Sequence, residues 1–315
     1  MAKVYITDTI FDTSIEHNIL GNDVSTEIDY NAEILMVWNK TIDSNFIDQF
    51  PQLKSIVKCT IGYDNIDINY AKLKNIPVSN VPDYCISEVA DTTVAFILNI
   101  IRNTTRMDFL AKTAVQGWQN LCLQSMHRTS SYTVGLIGTG NIGRSVMDRL
   151  AVFSIKTIFY DPYLSAAQVS QSKGARISSL KELLAVADIV SIHTPLTAET
   201  KGMVDEQFLK NMKTGASLIN TARGKIIKDL DLIYEYLMNN HLSCIAFDVL
   251  PTEPPVPSKL IDAWRNNADS LQGRVVINPH TAFFSQESLV EVREKASKNS
   301  KAVLMGQKQQ YVVNF

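Results

Sequence analysis

The segment GTGNIG at residues 138–143 constrains this chain more than any other feature, because of what flanks it. The apolar run TVGLIG at 133–138 reads as a buried strand, and NIGRSVMDRL from residue 141 onward reads as a helix. A strand that passes into a helix through this pattern uses each glycine differently. Gly138 makes the tight turn, Gly140 lets the backbone approach a pyrophosphate, and Gly143 lets the helix pack closely on the strand. The amides of Asn141 and Ile142 then face phosphate oxygens at the positive end of the helix. Asp161 closes the next apolar run, IFYD, 18 residues beyond Gly143. There a carboxylate meets the adenosine ribose, accepting from its 2′ and 3′ hydroxyls and repelling a 2′-phosphate, which favours NAD over NADP. Arg144 suits neutralisation of the pyrophosphate.

Short apolar runs alternate with helical stretches along the rest of the chain. Candidate strands lie at 4–6, 34–38, 53–58 and 77–78, and again at 157–160, 189–192, 217–219, 245–247 and 275–277. Helical composition fills 142–153, 179–186, 230–237 and 286–304. The run SEVADTTVAFILNIIR is a further helix, capped by Ser87 and apolar around much of its circumference, as suits a helix crossing between domains or at a subunit contact. Such alternation predicts the α/β class with parallel sheets. At roughly 150 residues per domain, 315 residues make two. The reading is two doubly wound Rossmann-like domains. A flavodoxin-like substrate domain takes 1–101 plus 286–315, and a dinucleotide-binding domain with about six strands takes 102–285.

Composition narrows the partners. Thirty basic and 32 acidic side chains nearly cancel, with no basic stripe, which argues against nucleic acid or an anionic membrane. The densest apolar stretch, 94–101, falls short of the roughly 20 residues needed to span a bilayer. The start MAKVYITDTIF lacks the order of a secretory leader, and Cys59, Cys85, Cys122 and Cys244 are too scattered for a disulfide framework. A cytoplasmic protein with reduced thiols is the expectation. His127, His193 and His280 show no metal-ligand spacing, so no metal is expected.

Three ionisable residues fall at or after predicted strand ends: Arg223 in INTARG, Glu253 in FDVLPTEP and His280 in VINPH. Ligands of open α/β sheets bind outside the carboxyl ends of the strands, so these positions can converge. Their chemistry is complementary. Arginine holds a planar carboxylate with two donors, histidine moves a proton near neutral pH, and a glutamate orients and stabilises the imidazolium. Tyr84, Phe283 and Phe284 are candidate apolar wall residues.

With these residues in place, the chain resembles the D-isomer-specific 2-hydroxyacid dehydrogenase family over nearly its whole length. The matching segments are IGYDNIDI, NVPDYCISEVADTTVAFIL, GLIGTGNIGR, HTPLTAETKGMV, INTARG, FDVLPTEP and NPHTAFFS, in that order. The resemblance implies NAD-dependent hydride transfer between a small 2-keto acid and the D-2-hydroxy acid. Arg223 becomes the substrate-binding arginine, His280 the catalytic acid/base and Glu253 its carboxylate partner. The resemblance also puts Asp248 beside the nicotinamide carboxamide and His193, Thr194, Pro195 and Leu196 in the cofactor wall, and the expected cofactor contacts extend to Thr221, Ala222, Arg223 and His280. The backbone of Ile61 and Gly62 meets the substrate carboxylate, with Tyr84 and Phe283 near it. A homodimer is implied too.

Within the family, HTAFFSQESLVEVREKA is especially similar to the branch containing the C-terminal binding protein corepressors, although Phe283 stands where those carry tryptophan. Thr92 replaces a histidine common in relatives, and SSYTVGLIG lacks the usual GKT. Two other readings stay open: a glyoxylate or hydroxypyruvate reductase with the same machinery, and an NAD-responsive scaffold that docks peptides.

Overall fold

The computed structural model describes residues 3–9, 11–113, 118 and 126–315, which leaves Cys122 outside the described residues. The chain divides into two units, Met1–Cys85 with Phe284–Phe315, and Ile86–Phe283.

The first unit carries, among the described residues, a parallel sheet of β1 (Val4–Ile6), β2 (Val24–Ser25), β3 (Ile34–Val37), β4 (Ser55–Lys58) and β5 (Val78–Ser79) in the order β2-β1-β3-β4-β5. All four residues of β3 and of β4 are buried, the pattern of strands covered on both faces by helices. The order is the flavodoxin-like one of doubly wound folds. Helix Gln286–Leu304 belongs to this unit, where Arg293 makes two bonds to Glu16 of helix Ser14–Leu20, Nε to Oε1 at 2.8 Å and Nη2 to Oε2 at 2.7 Å. Both partners are buried, and the two-point fork fixes the long helix against the short one.

In the second unit, β6 (Thr133–Ile137), β7 (Lys156–Tyr160), β8 (Ala175–Arg176), β9 (Ile189–Ile192), β10 (Ala216–Asn220), β11 (Leu242–Phe247) and β12 (Val275–Ile277) pair in parallel as β12-β11-β10-β9-β6-β7-β8. The order reverses between β6 and β9, the switch point at which such sheets open a crevice. Both units therefore have the Rossmann-like α/β architecture read from the alternation. The short strands β2 and β8 were not expected, and the second sheet has seven strands among the described residues rather than about six. Each is two residues long and lies at a sheet edge, and both residues of β8 are exposed, so neither leaves an apolar period to read.

Helix Ile86–Arg102 differs from expectation in two ways. Ser87 lies inside it rather than capping it, and its hydroxyl accepts from Arg149 Nη2 at 2.9 Å. Its apolar residues Val94, Ile97 and Ile101 are buried in one cluster with Val134 and Leu136 of β6 and Val146 of the helix Asn141–Val152. Its apolar circumference is thus largely core within the unit. No helix among the described residues is long and apolar enough to cross a membrane.

Candidate active site

The glycine loop has the geometry its sequence demands. Gly138 takes φ +86°, and a Cβ there would meet the His193 carbonyl and Thr194 Cγ2 at 2.9 Å. A Cβ on Gly143 would come within 2.5 Å of the Gly138 oxygen, whereas one on Gly140 would meet nothing. The loop is therefore closed toward the protein and open on the side of Gly140. Asp161 is tied to it: Oδ2 accepts from the Thr139 amide at 2.9 Å and the Thr139 hydroxyl at 3.2 Å, while Oδ1 accepts from the Tyr163 amide at 3.0 Å. A carboxylate has about four acceptor sites, so capacity remains for a ribose hydroxyl.

Two further observations fit a dinucleotide. The Thr194 hydroxyl is shielded from solvent and has no hydrogen-bond partner among the described residues. The helix Asn141–Val152 starts at Gly140 with no side chain capping its first amides. Both leave polar groups for a phosphate- and ribose-bearing ligand to satisfy. His193, in the next loop, bonds Ser191 Oγ through Nε2 at 2.9 Å, and burial pushes its pKa down to about 4.

The loops after β10, β11 and β12 are stitched together at the carboxyl edge of the sheet. The Asp248 amide donates to Asn220 O at 3.0 Å and the His280 amide to Asp248 O at 2.8 Å. Gly224 has no room for a side chain, since a Cβ would overlap the Leu250 carbonyl, and this close approach joins the Arg223 loop to the loop that carries Glu253. Arg223 is itself held by its neighbours: Asn220 Nδ2 donates to Arg223 O at 2.9 Å, and Arg223 Nη1 donates to Ala222 O at 2.7 Å. Thr221 is fixed through its hydroxyl, 2.9 Å from that of Thr93 on the long helix.

These constraints bring together the three residues singled out in the sequence. His280 Nδ1 is 2.7 Å from Glu253 Oε2, and the Leu250 amide donates to Glu253 Oε1 at 2.7 Å. Burial opposes ionisation of Glu253, but the bonds from His280 and Leu250, with the charges of His280 and Arg223, outweigh it and hold the carboxyl below its ordinary range. An ionised carboxylate can only accept, so Nδ1 carries the proton of this bond and Nε2 is left for other partners. His280 takes φ +56°, a left-handed conformation that costs a non-glycine residue roughly 1–3 kcal/mol. The residues on either side supply the compensation. Asp248, 2% exposed, accepts at Oδ1 from the Thr281 amide at 2.9 Å and at both oxygens from the Ala282 amide at 3.1 Å. Bonds to a charged group contribute about 1.5–3 kcal/mol each, enough to hold the turn. Burial raises the Asp248 pKa, and the two amides pull it back.

Phe283 lies edge-on to His280, with ring centroids 6.4 Å apart. Ile61, Gly62 and Tyr84 belong to the first unit. Ile61 O accepts from Asn80 Nδ2 at 2.6 Å, Gly62 O from Thr60 Oγ1 at 3.0 Å, and Tyr84 is buried. The sequence reading missed Asn80, Thr139 and the clamp made by Asp248. None belongs to a periodic pattern; each works through a bond to residues 19 or more positions away.

Comparison with known proteins gives the family. Residues 94–282 match the family model for the D-isomer specific 2-hydroxyacid dehydrogenase, NAD binding domain. A glyoxylate reductase of Thermofilum pendens is 32% identical over 91% of this chain and 82% of its own length. A D-3-phosphoglycerate dehydrogenase of Mycobacterium tuberculosis is 30% identical over 88% of this chain, which spans only 50% of that enzyme. The crystal structure of D-lactate dehydrogenase from Aquifex aeolicus, complexed with NAD and lactic acid, superposes with a TM-score of 0.84 at 27% identity over 99% of both chains. With a family model over more than half its length and a relative matched almost end to end, this chain belongs to the D-isomer specific 2-hydroxyacid dehydrogenase family and is an NAD-dependent oxidoreductase of D-2-hydroxy acids.

Proposed function

We propose that Arg223, Glu253 and His280 carry the reversible reduction of a small 2-keto acid. The observation that carries this reading is the 2.7 Å contact of His280 Nδ1 with a Glu253 held ionised. When bound, NADH supplies the hydride to the C2 carbonyl carbon. The planar fork of Arg223 holds the substrate carboxylate through two parallel N–H bonds and fixes the carbonyl for attack. Glu253 keeps the imidazole in one orientation and tautomer. His280 delivers a proton from Nε2 to the oxygen as it becomes an alkoxide, and takes that proton back in the oxidative direction. Phe283 supplies an apolar wall beside the imidazole.

For the cofactor, the amides of Gly140, Asn141, Ile142 and Gly143 hold the pyrophosphate and Asp161 the ribose, which favours NAD over NADP. His193, Thr194, Pro195, Thr221, Ala222 and Asp248 complete the cofactor wall, and the Thr194 hydroxyl gains the partner it otherwise lacks. In the first unit, Ile61, Gly62 and Tyr84 remain assigned to substrate, with Asn80 fixing the Ile61 peptide. A homodimer, implied by the resemblance, is tested by light scattering at several concentrations; a stable monomer overturns it.

Substrate size is supported by the relatives, one a glyoxylate reductase and one a D-lactate dehydrogenase with lactic acid bound. The experiment is NADH oxidation across pyruvate, 2-ketobutyrate, glyoxylate, hydroxypyruvate and bulkier 2-keto acids, with NADPH in parallel. Preference for pyruvate or 2-ketobutyrate supports the lactate-like reading, and preference for glyoxylate or hydroxypyruvate the reductase. Near-unchanged kcat/KM in Arg223→Lys removes the two-donor clamp. The similarity of HTAFFSQESLVEVREKA to the corepressor branch supports one further reading, an NAD-responsive scaffold, which tight NADH binding without turnover on any of these acids would favour.

A further inference from the structure

The carboxyl ends of β10, β11 and β12 carry the loops of Arg223, Glu253 and His280. At the amino ends of the same three strands lies a cavity of about 370 Å³, lined among others by Gly215, Leu242, Ser243, Gln272, Arg274 and Arg106. A five-residue strand rising about 3.3 Å per residue puts roughly 15 Å of sheet between the two edges, so this cavity is separate from the site described above. Its volume falls within the range of small-molecule pockets, roughly 300–1,000 Å³.

Two guanidiniums face this space. Arg274, 8% exposed, donates to the carbonyls of Leu271, Leu237 and Ser270 at 3.0–3.3 Å and to Asn240 Oδ1 at 3.3 Å. Arg106, on helix Thr104–Thr113, has one long bond among the described residues, from Nη2 to Gln272 Oε1 at 3.3 Å. Its Nε is shielded from solvent and has no acceptor among the described residues. The two cations are brought together by a built contact. Gly273, at φ +70°, has the helix backbone against it, so that a Cβ would meet Thr105 O at 2.9 Å and Arg106 Cα at 3.0 Å. Burial pushes the Arg274 pKa below the arginine range; Cys244 opposes the shift, and the charge of Arg106 adds a smaller push in the same direction as burial.

Among the described residues neither arginine forms an ion pair, and Asp269, next to Ser270 in the chain, bonds to neither. Residues 114–125, which follow the helix of Arg106, contain no Asp or Glu. Like charges held close in a half-enclosed space repel more strongly than in bulk water, and a doubly charged anion between them removes that cost. The Arg106 guanidinium offers a fork that matches the tetrahedral oxygens of phosphate, Arg274 adds its charge and the one Nη2 N–H not spent on its carbonyls and Asn240, and Ser243 lines the wall.

We propose that the amino edge of the seven-stranded sheet binds a phosphate-type dianion, free or as the end group of a small ester, between Arg106 and Arg274. The test uses the whole chain saturated with NADH, so that the glycine-loop amides are already engaged. Inorganic phosphate and glycerol 3-phosphate are titrated by calorimetry, and Tm is followed against chloride at equal ionic strength. The expected result is saturable binding at one site per chain, with a rise in Tm that chloride does not give. Arg106→Gln weakens this binding about tenfold, the loss of one charge-assisted bond, while Tm without phosphate and NADH turnover stay as they were. Arg106 is chosen because Arg274 also satisfies three carbonyls and its loss unsettles the fold itself. Tighter binding of the ester assigns the site to a phosphorylated metabolite, and equal or weaker binding assigns it to the free ion. Equal affinity in Arg106→Gln, or no difference from chloride, overturns the proposal. So does a change of oligomeric state in Arg106→Gln with no phosphate binding in either protein, which makes the cavity a seat for a carboxylate of another copy.

Discussion

Asp248 and Arg274 stand at opposite ends of the same sheet and meet the same physical problem in mirrored ways. Each is a buried charge satisfied mainly by backbone: Asp248 by the amides of Thr281 and Ala282, Arg274 by the carbonyls of Leu237, Ser270 and Leu271. Among the described residues neither forms an ion pair. The difference lies in what the backbone is doing. At the carboxyl edge the amides belong to the loop that carries His280, so the buried acid holds a reactive side chain in a left-handed turn. At the amino edge the carbonyls end a helix and a turn, and the buried base leaves its surplus charge facing a cavity beside a second arginine. One edge turns a buried charge into positional accuracy, the other into electrostatic potential.

The sharpest way to break this comparison is at the proton donor. His280→Ala lowers kcat by about 10²–10⁴ while NADH binding, read by fluorescence quenching, stays near wild type. Near-normal turnover at saturating substrate would remove His280 from its role. Gly224→Ala comes next: its methyl group forces the Arg223 loop away from the Leu250 carbonyl, and a shift of about 1 Å at a reacting centre costs about a hundredfold in kcat/KM. An unchanged kcat/KM would show that the contact is not needed for alignment. Asp248→Asn puts a donor in place of the Oδ2 acceptor against the Ala282 amide and destabilises by roughly 1–3 kcal/mol in denaturant titration, with kcat falling as the turn loosens.

A pH experiment separates the edges further. His193 has its pKa lowered from 6.5 to about 4, so between those values the unfolded chain binds a proton that the folded one refuses. Stability therefore falls as pH drops through that window and levels off below it. His193→Gln flattens this slope; an unaltered slope assigns it to other groups. Glu253 works in a lower range. Its contribution is fully present above the ordinary glutamate value and is lost only as pH falls through the depressed one, so it adds no slope at neutral pH. The smallest effect is that of Arg106→Gln in the absence of phosphate, where neither Tm nor turnover changes. A loss of turnover there would tie the amino edge to catalysis and erase the contrast.

The sequence by itself determined the class of fold and the chemistry at hand, because both are written locally. Doubly buried strands such as β3 are continuous apolar runs, and a glycine turn between strand and helix admits few other structures. Arg223, Glu253 and His280 stood out because each is a charged or ionisable group at the end of such a run. What the tertiary structure decided is how those groups are held. Asp248 reaches Thr281 across 33 residues and Asn80 reaches Ile61 across 19, while Gly224 matters because another backbone arrives within touching distance. The edge strands β2 and β8 likewise exist only because a neighbour offers them hydrogen bonds. Periodicity records what faces a core, whereas a contact between two loops depends on where distant segments end, and no local pattern encodes that.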